Sequence, residues 1–296
     1  MIKIGIHGKE KIKSDLMLLL AAAIWGFAFV AQRQGMQHVT PFFFNGSRFM
    51  LGALVVLPFS GLKFTKLELK TGFMMGAVLF IAASLQQVGM VYTTAGKAGF
   101  ITGLYVIFVP ILGTMGGETS GLRTWLGVTT AVIGLYLLSM TDGATIELGD
   151  TLVLLCAFVF AVHVRMIGFY GRKFAPMKLA FLQYLVVGVL SIPVWFFQEK
   201  AAFGEWQQSI IPIIYGGVLS TGVAYTLQIF AQRKAPAADA AIILSLEGAF
   251  AGLGGYLLLK EYFSQRMLIG CALILAGAIL ASLPEKKKDN DKIANS

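Results

Sequence analysis

The stretch LSLEGAFAGLGG, from Leu244 to Gly255, places one glutamate, Glu247, among small and apolar residues. It lies within a run, 236–259, that contains no Lys or Arg and only one other acid, Asp239, near its start. A helix of that length can cross the hydrocarbon core of a bilayer, which is roughly 30 Å thick. Glu247 is therefore predicted near the middle of a membrane span, where an ionisable side chain is costly and is usually paired or functional.

Similar apolar runs recur along nearly the whole chain. The 296-residue sequence is 57% hydrophobic and 13% charged, with a mean hydropathy of +0.76, unlike a soluble globular domain. We predict an all-α integral membrane protein with ten transmembrane helices. No small-residue cleavage site follows the first run, so we interpret that run as a retained span. The predicted spans are 15–34, 41–60, 71–92, 98–115, 122–140, 150–169, 178–198, 209–232, 236–259 and 266–283.

The basic residues are distributed unevenly between the predicted loops. With a cytoplasmic N-terminus, 18 of the 24 Lys and Arg residues lie in cytoplasmic segments, and Arg48 lies within a span. Enrichment of Lys and Arg in cytoplasmic loops sets the orientation of such proteins. We therefore expect a multi-pass protein of the plasma (inner) membrane with both termini in the cytoplasm. This distribution also explains the net charge of +9 without a nucleic-acid partner.

The sequence repeats itself on either side of a polar, acidic linker, Thr141–Asp150. SLQQVGMVYTTAGKAGFITGL, from Ser84, aligns with TLQIFAQRKAPAADAAIILSL, from Thr226, so that Gln86 meets Gln228. After one inserted residue the register continues, and Glu118, Gly127, Gly134 and Ser139 align with Glu261, Gly270, Gly277 and Ser282. Each half holds an odd number of spans, so the second half enters the membrane from the opposite side. We predict two inverted five-helix repeats, 14–140 and 148–284, followed by a basic cytoplasmic tail, 285–296.

Inverted repeats are typical of secondary transporters, in which two similar halves expose a central site to each side in turn. The alternative is an integral-membrane enzyme or channel that acts on a small or lipid-like substrate. Three scattered histidines do not supply a metal cluster, and no channel filter motif is present. TTAGKAGF lacks the spacing of a phosphate loop. We predict no catalytic residue, cofactor or metal, and no disulfide between Cys156 and Cys271.

Several segments resemble the EamA-type transporters of the drug/metabolite transporter superfamily. They are NGSRFMLGAL, LYVIFVPILGTMGGE, LSLEGAFAGLGGYLLLKE and the tryptophan in AAAIWGFAFV, and the likeness covers roughly residues 15–284. The resemblance implies ten helices in two inverted five-helix repeats, with a central cavity for small organic solutes. We expect a secondary transporter, an exporter, of small organic metabolites that are amino-acid-like or related solutes. Family members often carry proline after the ninth-span glutamate, where this chain has Gly248. Since the fourth span retains Pro110, we expect a bend there rather than in the ninth.

Glu247 and Arg48 are the main candidate site residues. Gly248, Gly252 and Gly255 share one helical face, where another helix can approach closely, and Glu247 points about a quarter-turn away. Arg48 lies roughly 10 Å into the second span and Glu247 roughly 16 Å into the ninth from the other surface. Their depths overlap, so a pair is sterically possible. The alternatives are a structural hydrogen bond for Glu247 and snorkelling toward the headgroups for Arg48.

Other polar and aromatic groups within the spans are candidates for a substrate pathway: Gln86, Tyr105, Tyr225, Gln228 and Trp25. Such groups orient an organic solute in an apolar cavity, although glutamines also tie helices together and tryptophans also pack. The expected partners are a small-molecule substrate, membrane lipid and, with Glu247, protons as a coupling ion. We interpret His163 as interfacial rather than as a proton relay. Asp142, Glu147 and Asp150 are expected to form a solvated outer loop.

Overall fold

The computed structural model describes residues 6–139, 147–200, 203–262 and 264–283, and all regular secondary structure in these ranges is helical. Residues 141–146 of the predicted linker, with Asp142, and the predicted tail 285–296 lie outside the described residues. The helices are α1 (Ile6–Gly35), α2 (Pro41–Ser60), α3 (Lys66–Gly89), α4 (Ala95–Gly103), α5 (Tyr105–Met115), α6 (Leu122–Ser139), α7 (Leu148–Tyr170), α8 (Pro176–Phe197), α9 (Ile210–Ile214), α10 (Thr226–Ala231), α11 (Ala237–Leu244), α12 (Leu246–Leu259) and α13 (Gln265–Ser282).

Eight helical segments of the described chain are long and apolar enough to cross a membrane. Two further apolar helices are shorter, Leu122–Leu137 and Gln265–Ala281. Helix starts follow from local sequence: Pro41 occupies the first turn of α2, where its missing N–H costs nothing. Thr65 and Glu68 form a reciprocal capping box at the start of α3.

The fourth and ninth predicted spans are both interrupted in the middle. The first interruption, at Leu104, separates α4 from α5, and the second, at Ser245, separates α11 from α12. Leu104 has φ −63° and ψ −10°, and Ser245 has φ −62° and ψ −13°. The expectation of a bend in the fourth span alone is therefore wrong. The Ser245 hydroxyl donates to the Ile242 carbonyl (2.7 Å) within this turn, and the equivalent turn at Leu104 has the same backbone conformation without a hydroxyl.

The eighth predicted span contains an unusual helix. A 3₁₀ turn (Trp206–Ser209) leads into α9, and a π-helix (Tyr215–Tyr225) joins α9 to α10. Within it, the Thr221 hydroxyl donates to the Gly216 carbonyl five residues earlier, at 2.8 Å. π-helical turns widen a helix and occur frequently at functional sites.

The helices pack in matched pairs across the two halves of the chain. α1 packs on α12 and α7 on α5, while α2 packs on the π-helix and α8 on α3. α2 also packs on α8, and α6 on α13. Exchanging the corresponding elements of the two halves interchanges the members of each of the first two pairs of contacts and converts the last two contacts into themselves.

α6 and α13 approach closely at glycine residues. A Cβ at Gly127 would lie 2.9 Å from the Gly277 carbonyl oxygen, and one at Gly134 would lie 2.5 Å from the Gly270 carbonyl oxygen. The aligned glycines of the repeat thus meet crosswise, as in the isologous interface of a two-fold dimer. Small residues permit such backbone contact between helices in membranes.

The expectation that Asp150 lies in a solvated outer loop is wrong. It lies in the first turn of α7 and is buried, and its carboxylate accepts from the Glu147 backbone N–H (3.0 Å) and the Thr93 hydroxyl (3.1 Å). The Lys97 ammonium lies 2.6 Å from the same carboxylate. The side chain therefore caps α7 and ties it to the start of α4.

The crossing of α6 and α13 yields a stability prediction. Gly134→Ala places a methyl group against backbone atoms of α13, so we expect a loss of about 1–3 kcal/mol, as for other overpacked cores. Thermal unfolding of the purified protein in detergent measures it. Gly168→Ala is the control, because its nearest neighbour is the Ala237 Cβ at 3.6 Å, and we expect it to be neutral or slightly stabilising. Equal melting temperatures for both variants would contradict the close crossing.

Candidate functional site

One cavity inside the bundle brings together all seven residues that the sequence singled out. They come from α1, α2, α3, α5, the π-helix, α10 and α12: Trp25, Arg48, Gln86, Tyr105, Tyr225, Gln228 and Glu247. The cavity volume is about 30 Å³, which is room for roughly one or two water molecules. The structure places these residues together and leaves little space between them.

Glu247 lies in the first turn of α12, directly after the interruption at Ser245, and is 4% exposed. The positive end of a helix favours an acidic side chain at this position. Tyr105 and Tyr225 lie close enough to interact electrostatically with the Glu247 carboxyl. The Oε1 atom of Glu247 and the hydroxyl of Tyr105 have no hydrogen-bond partner in the protein. The two groups lie beside each other, so each can turn toward the other or toward a bound solute or water.

Arg48 is 1% exposed and bonds to a neutral partner. Its Nε and Nη2 donate to the Asn45 side-chain oxygen at 3.1 and 2.9 Å, and its guanidinium carbon lies 4.7 Å from the Phe49 ring centroid. The ion pairs among the described residues include neither Arg48 nor Glu247. Snorkelling is therefore wrong for Arg48, which stays in the bundle interior, and its positive charge is not neutralised by Glu247.

An aromatic wall bounds the cavity. The Trp25 and Tyr225 rings are 4.6 Å apart between centroids, and Phe49 lies 6.1 Å from Tyr225. The Trp25 indole N–H donates to the Ser220 carbonyl at 3.2 Å. Because Ser220 and Tyr225 both belong to the π-helix, that segment supplies one side of the wall.

The two aligned glutamines have different environments. The Gln86 side-chain N–H donates to the Thr102 hydroxyl at 3.2 Å, which ties α3 to α4. The Oε1 atom of Gln228 has no partner in the protein. Helix tying therefore accounts for Gln86 in part, whereas Gln228 presents a free acceptor.

Four polar residues that complete the lining were missed or misplaced by sequence reasoning: Gln32, Thr102, His163 and Ser220. The interfacial interpretation of His163 is wrong, because its side chain is fully buried in α7. A signal was present, since Phe160, His163 and Val164 follow the i, i+3, i+4 spacing of one helix face and all line the cavity.

Within the described ranges, no group of three or more His, Cys, Asp or Glu side chains lies close enough to hold a metal ion. The arrangement instead offers one buried cation, one buried acid and several hydrogen-bonding atoms around a small space. Such a set suits reversible binding of a polar organic molecule.

The model of the EamA-like transporter family matches the chain twice, over residues 12–140 and 147–283. The chain belongs to the EamA-like transporter family. The resemblance to the drug/metabolite transporter superfamily noted in the sequence is thereby confirmed. This EamA-like protein is a multi-pass membrane protein of a transporter family whose members act on small molecules.

Relatives of the EamA-like protein carry the same description. An uncharacterized transporter of Archaeoglobus fulgidus is 36% identical over 280 residues, which cover 94% of this chain and 89% of the relative. The threonine/homoserine exporter RhtA of Escherichia coli is 25% identical over 169 residues, 56% of each chain. A protein of known crystal structure has the same fold, with a TM-score of 0.77 and 17% identity over 91% of this chain and 98% of its own.

The two hydrogen bonds that Arg48 donates to Asn45 lead to a prediction about stability. Arg48→Lys keeps the charge but offers the Asn45 oxygen one donor atom in place of two, so one hydrogen bond from a charged group is lost and we expect a loss of about 1–3 kcal/mol in stability. Thermal unfolding in detergent measures it. The control is Arg33→Lys, because one Arg33 nitrogen serves two carbonyls, Met90 O and Val91 O, and an ammonium can do the same. An unchanged melting temperature for Arg48→Lys would show that the second hydrogen bond contributes little to stability.

Proposed function

We propose that this protein is a secondary active transporter that exports small organic metabolites across the plasma membrane by alternating access. One observation carries the proposal: a buried guanidinium and a buried carboxyl face the same cavity without pairing with each other. Burial of two unpaired ionisable groups is costly. A substrate that meets both would repay that cost.

The proposed substrate is amino-acid-like. A guanidinium suits a carboxylate, and a carboxyl beside free acceptor atoms suits an ammonium group. The name of one relative, threonine/homoserine exporter, supports this class. The aromatic wall of Trp25 and Tyr225 would then contact the apolar part of the solute.

Alternating access is supported by the likeness of the two halves. The family model matches each half separately, the interruptions at Leu104 and Ser245 share one backbone conformation, and the α6–α13 glycines meet crosswise. We infer ten membrane-spanning segments in two inverted halves, 14–140 and 148–284, that rock about the cavity.

The cavity volume is also relevant to this mechanism. Room for one or two waters is too small for an amino acid. Loading therefore requires the helices to separate on one side, and the interruptions in the fourth and ninth segments are hinge positions for that movement. Export would follow if the cavity loads from the cytoplasm.

The role of Glu247 is tested by Glu247→Gln, which keeps the shape but cannot titrate. We propose that the carboxyl takes up and releases a proton as the cavity opens to either side. Purified parent and variant are compared in proteoliposomes loaded with labelled L-threonine or L-homoserine, with and without a pH gradient. We expect the pH gradient to accelerate transport by the parent. We expect this acceleration to be at least tenfold smaller in the variant.

Glu118→Gln is the matched control for this experiment, because Glu118 is 65% exposed and pairs with Arg165 away from the cavity. It should keep the response to the gradient. If Glu247→Gln transports like the parent and responds equally to the gradient, Glu247 is structural. If the parent moves no amino acid, the substrate class is wrong.

The proposed orientation places both termini in the cytoplasm. Arg172 and Lys173, between α7 and α8, and Lys178, in the first turn of α8, then lie on the cytoplasmic side, in line with the preference of basic loops for that side. Side-specific labelling of single cysteines, introduced at Arg172 and at Glu205 in a Cys156→Ala, Cys271→Ala background, measures the topology in intact cells. We expect labelling from outside at position 205 only. Labelling at position 172 from outside would show the opposite orientation and contradict the proposal.

A further inference from the structure

His163 is a fully buried histidine that lines the cavity with one of its ring nitrogens free. Its Nε2 lies 2.8 Å from the Gln183 side-chain oxygen, and its Nδ1 has no partner in the protein. The ring packs edge-on against Tyr225, with centroids 6.3 Å apart and planes at 79°. A neighbour on α8 and a neighbour on the π-helix thus fix the ring orientation.

These contacts define what each nitrogen can do. Because Gln183 presents an oxygen, Nε2 carries the hydrogen and donates it. The ion pairs among the described residues include no carboxylate for His163, and an unpaired buried imidazolium is costly, so the ring is neutral. The remaining nitrogen, Nδ1, therefore offers a lone pair as an acceptor.

Other free atoms of the cavity have the same character. The Oε1 atoms of Gln32, Gln228 and Glu247 are buried, line the cavity and lack partners in the protein. The two glutamine oxygens are acceptors, and so is the Glu247 carboxyl in its ionised form, whereas the Tyr105 hydroxyl of the same lining can also donate. Together with Nδ1 of His163 they form a set that a donor-rich group, with several N–H bonds, would satisfy.

We propose that His163 determines specificity by accepting a hydrogen bond from the protonated amine of the substrate, and that Gln183 is a positioning residue that holds its tautomer. The inference rests on the proposed function and names the chemical group that the acceptor side of the cavity recognises. A histidine that served only to tie α7 to α8 would need no second free nitrogen in the cavity, since buried polar atoms are normally satisfied.

Two substitutions separate these roles. His163→Asn keeps an acceptor near the position of Nδ1 but is too short to reach Gln183. His163→Gln keeps a donor near the position of Nε2 and loses the acceptor in the cavity. A specificity role predicts that the first variant transports better, and a tying role predicts that the second does.

The measurement is the KM for uptake of labelled L-threonine into proteoliposomes, together with competition by unlabelled L-threonine and by N,N,N-trimethyl-L-threonine. In the parent, the trimethylated competitor lacks N–H donors and should be at least tenfold weaker. His163→Gln should raise the KM about tenfold, as expected for loss of one hydrogen bond to a charged group. It should also lower the discrimination between the two competitors several-fold. His163→Asn should change the KM by threefold or less.

Three results would overturn the inference. One is equal competition by both compounds in the parent, a result that needs no variant to fold. Another is a His163→Gln protein with the parent's KM and discrimination. The third is a parent that moves none of the amino acids, which contradicts the proposed function itself and removes the substrate class with it. If the parent transports L-threonine normally and His163→Gln keeps the parent's selectivity, only the proposed role of His163 is rejected.

Discussion

The structure depends on helix backbones that touch where a glycine leaves no side chain between them. A Cβ at Gly26 of α1 would collide with Phe250 and lie 2.8 Å from the Glu247 carbonyl oxygen. A Cβ at Gly99 of α4 would lie 3.5 Å from the Gly248 Cα. α12 is therefore held against α1 and α4 on either side of Glu247. These contacts bring Trp25 and Glu247, distant in sequence, to the same cavity.

The cavity combines a buried guanidinium and a buried carboxyl with neutral hydrogen-bonding partners. Arg48 bonds to an amide, and Glu247 lies near phenols and not near a cation. Ion pairs form instead toward the helix ends, as between Lys97 and Asp150 or between Lys178 and Glu68. Pairing at the ends fixes helices to one another, whereas the charges left unpaired in the middle remain available to a solute.

Much of this arrangement could be predicted from the sequence, because hydropathy and internal repetition are properties of the chain itself. The helical segments follow the apolar runs, and polar residues at mid-span depth are costly enough to indicate a shared interior. All seven residues chosen on that ground line one cavity. Depth alone did not reveal which faces meet, so it could not show that Arg48 would bond to Asn45 and not to Glu247.

Other features depended on local or distant geometry that spacing does not encode. The interruption at Ser245 contains no proline and has the same backbone conformation as the interruption at Leu104, so the proline pattern of the sequence did not indicate it. The burial of Asp150 requires Thr93 and Lys97, which belong to the other half of the chain. The end of the sixth span was predicted within one residue of Tyr170, but closeness to a helix end did not show that the face of His163 is covered by other helices.

The place of Trp25 gives the protein an optical property. Of its four tryptophans, Trp25 lines the cavity and packs against Tyr225 with the ring planes tilted by 59°, while Trp125, Trp195 and Trp206 lie near helix ends. Indole emission shifts with the polarity of its surroundings, and an adjacent phenol alters its intensity. Replacing the three peripheral tryptophans by phenylalanine would leave a single chromophore on the cavity wall. Its emission spectrum would then follow wetting, occupancy and closure of the interior directly, in an unlabelled protein and on the timescale of each transport cycle.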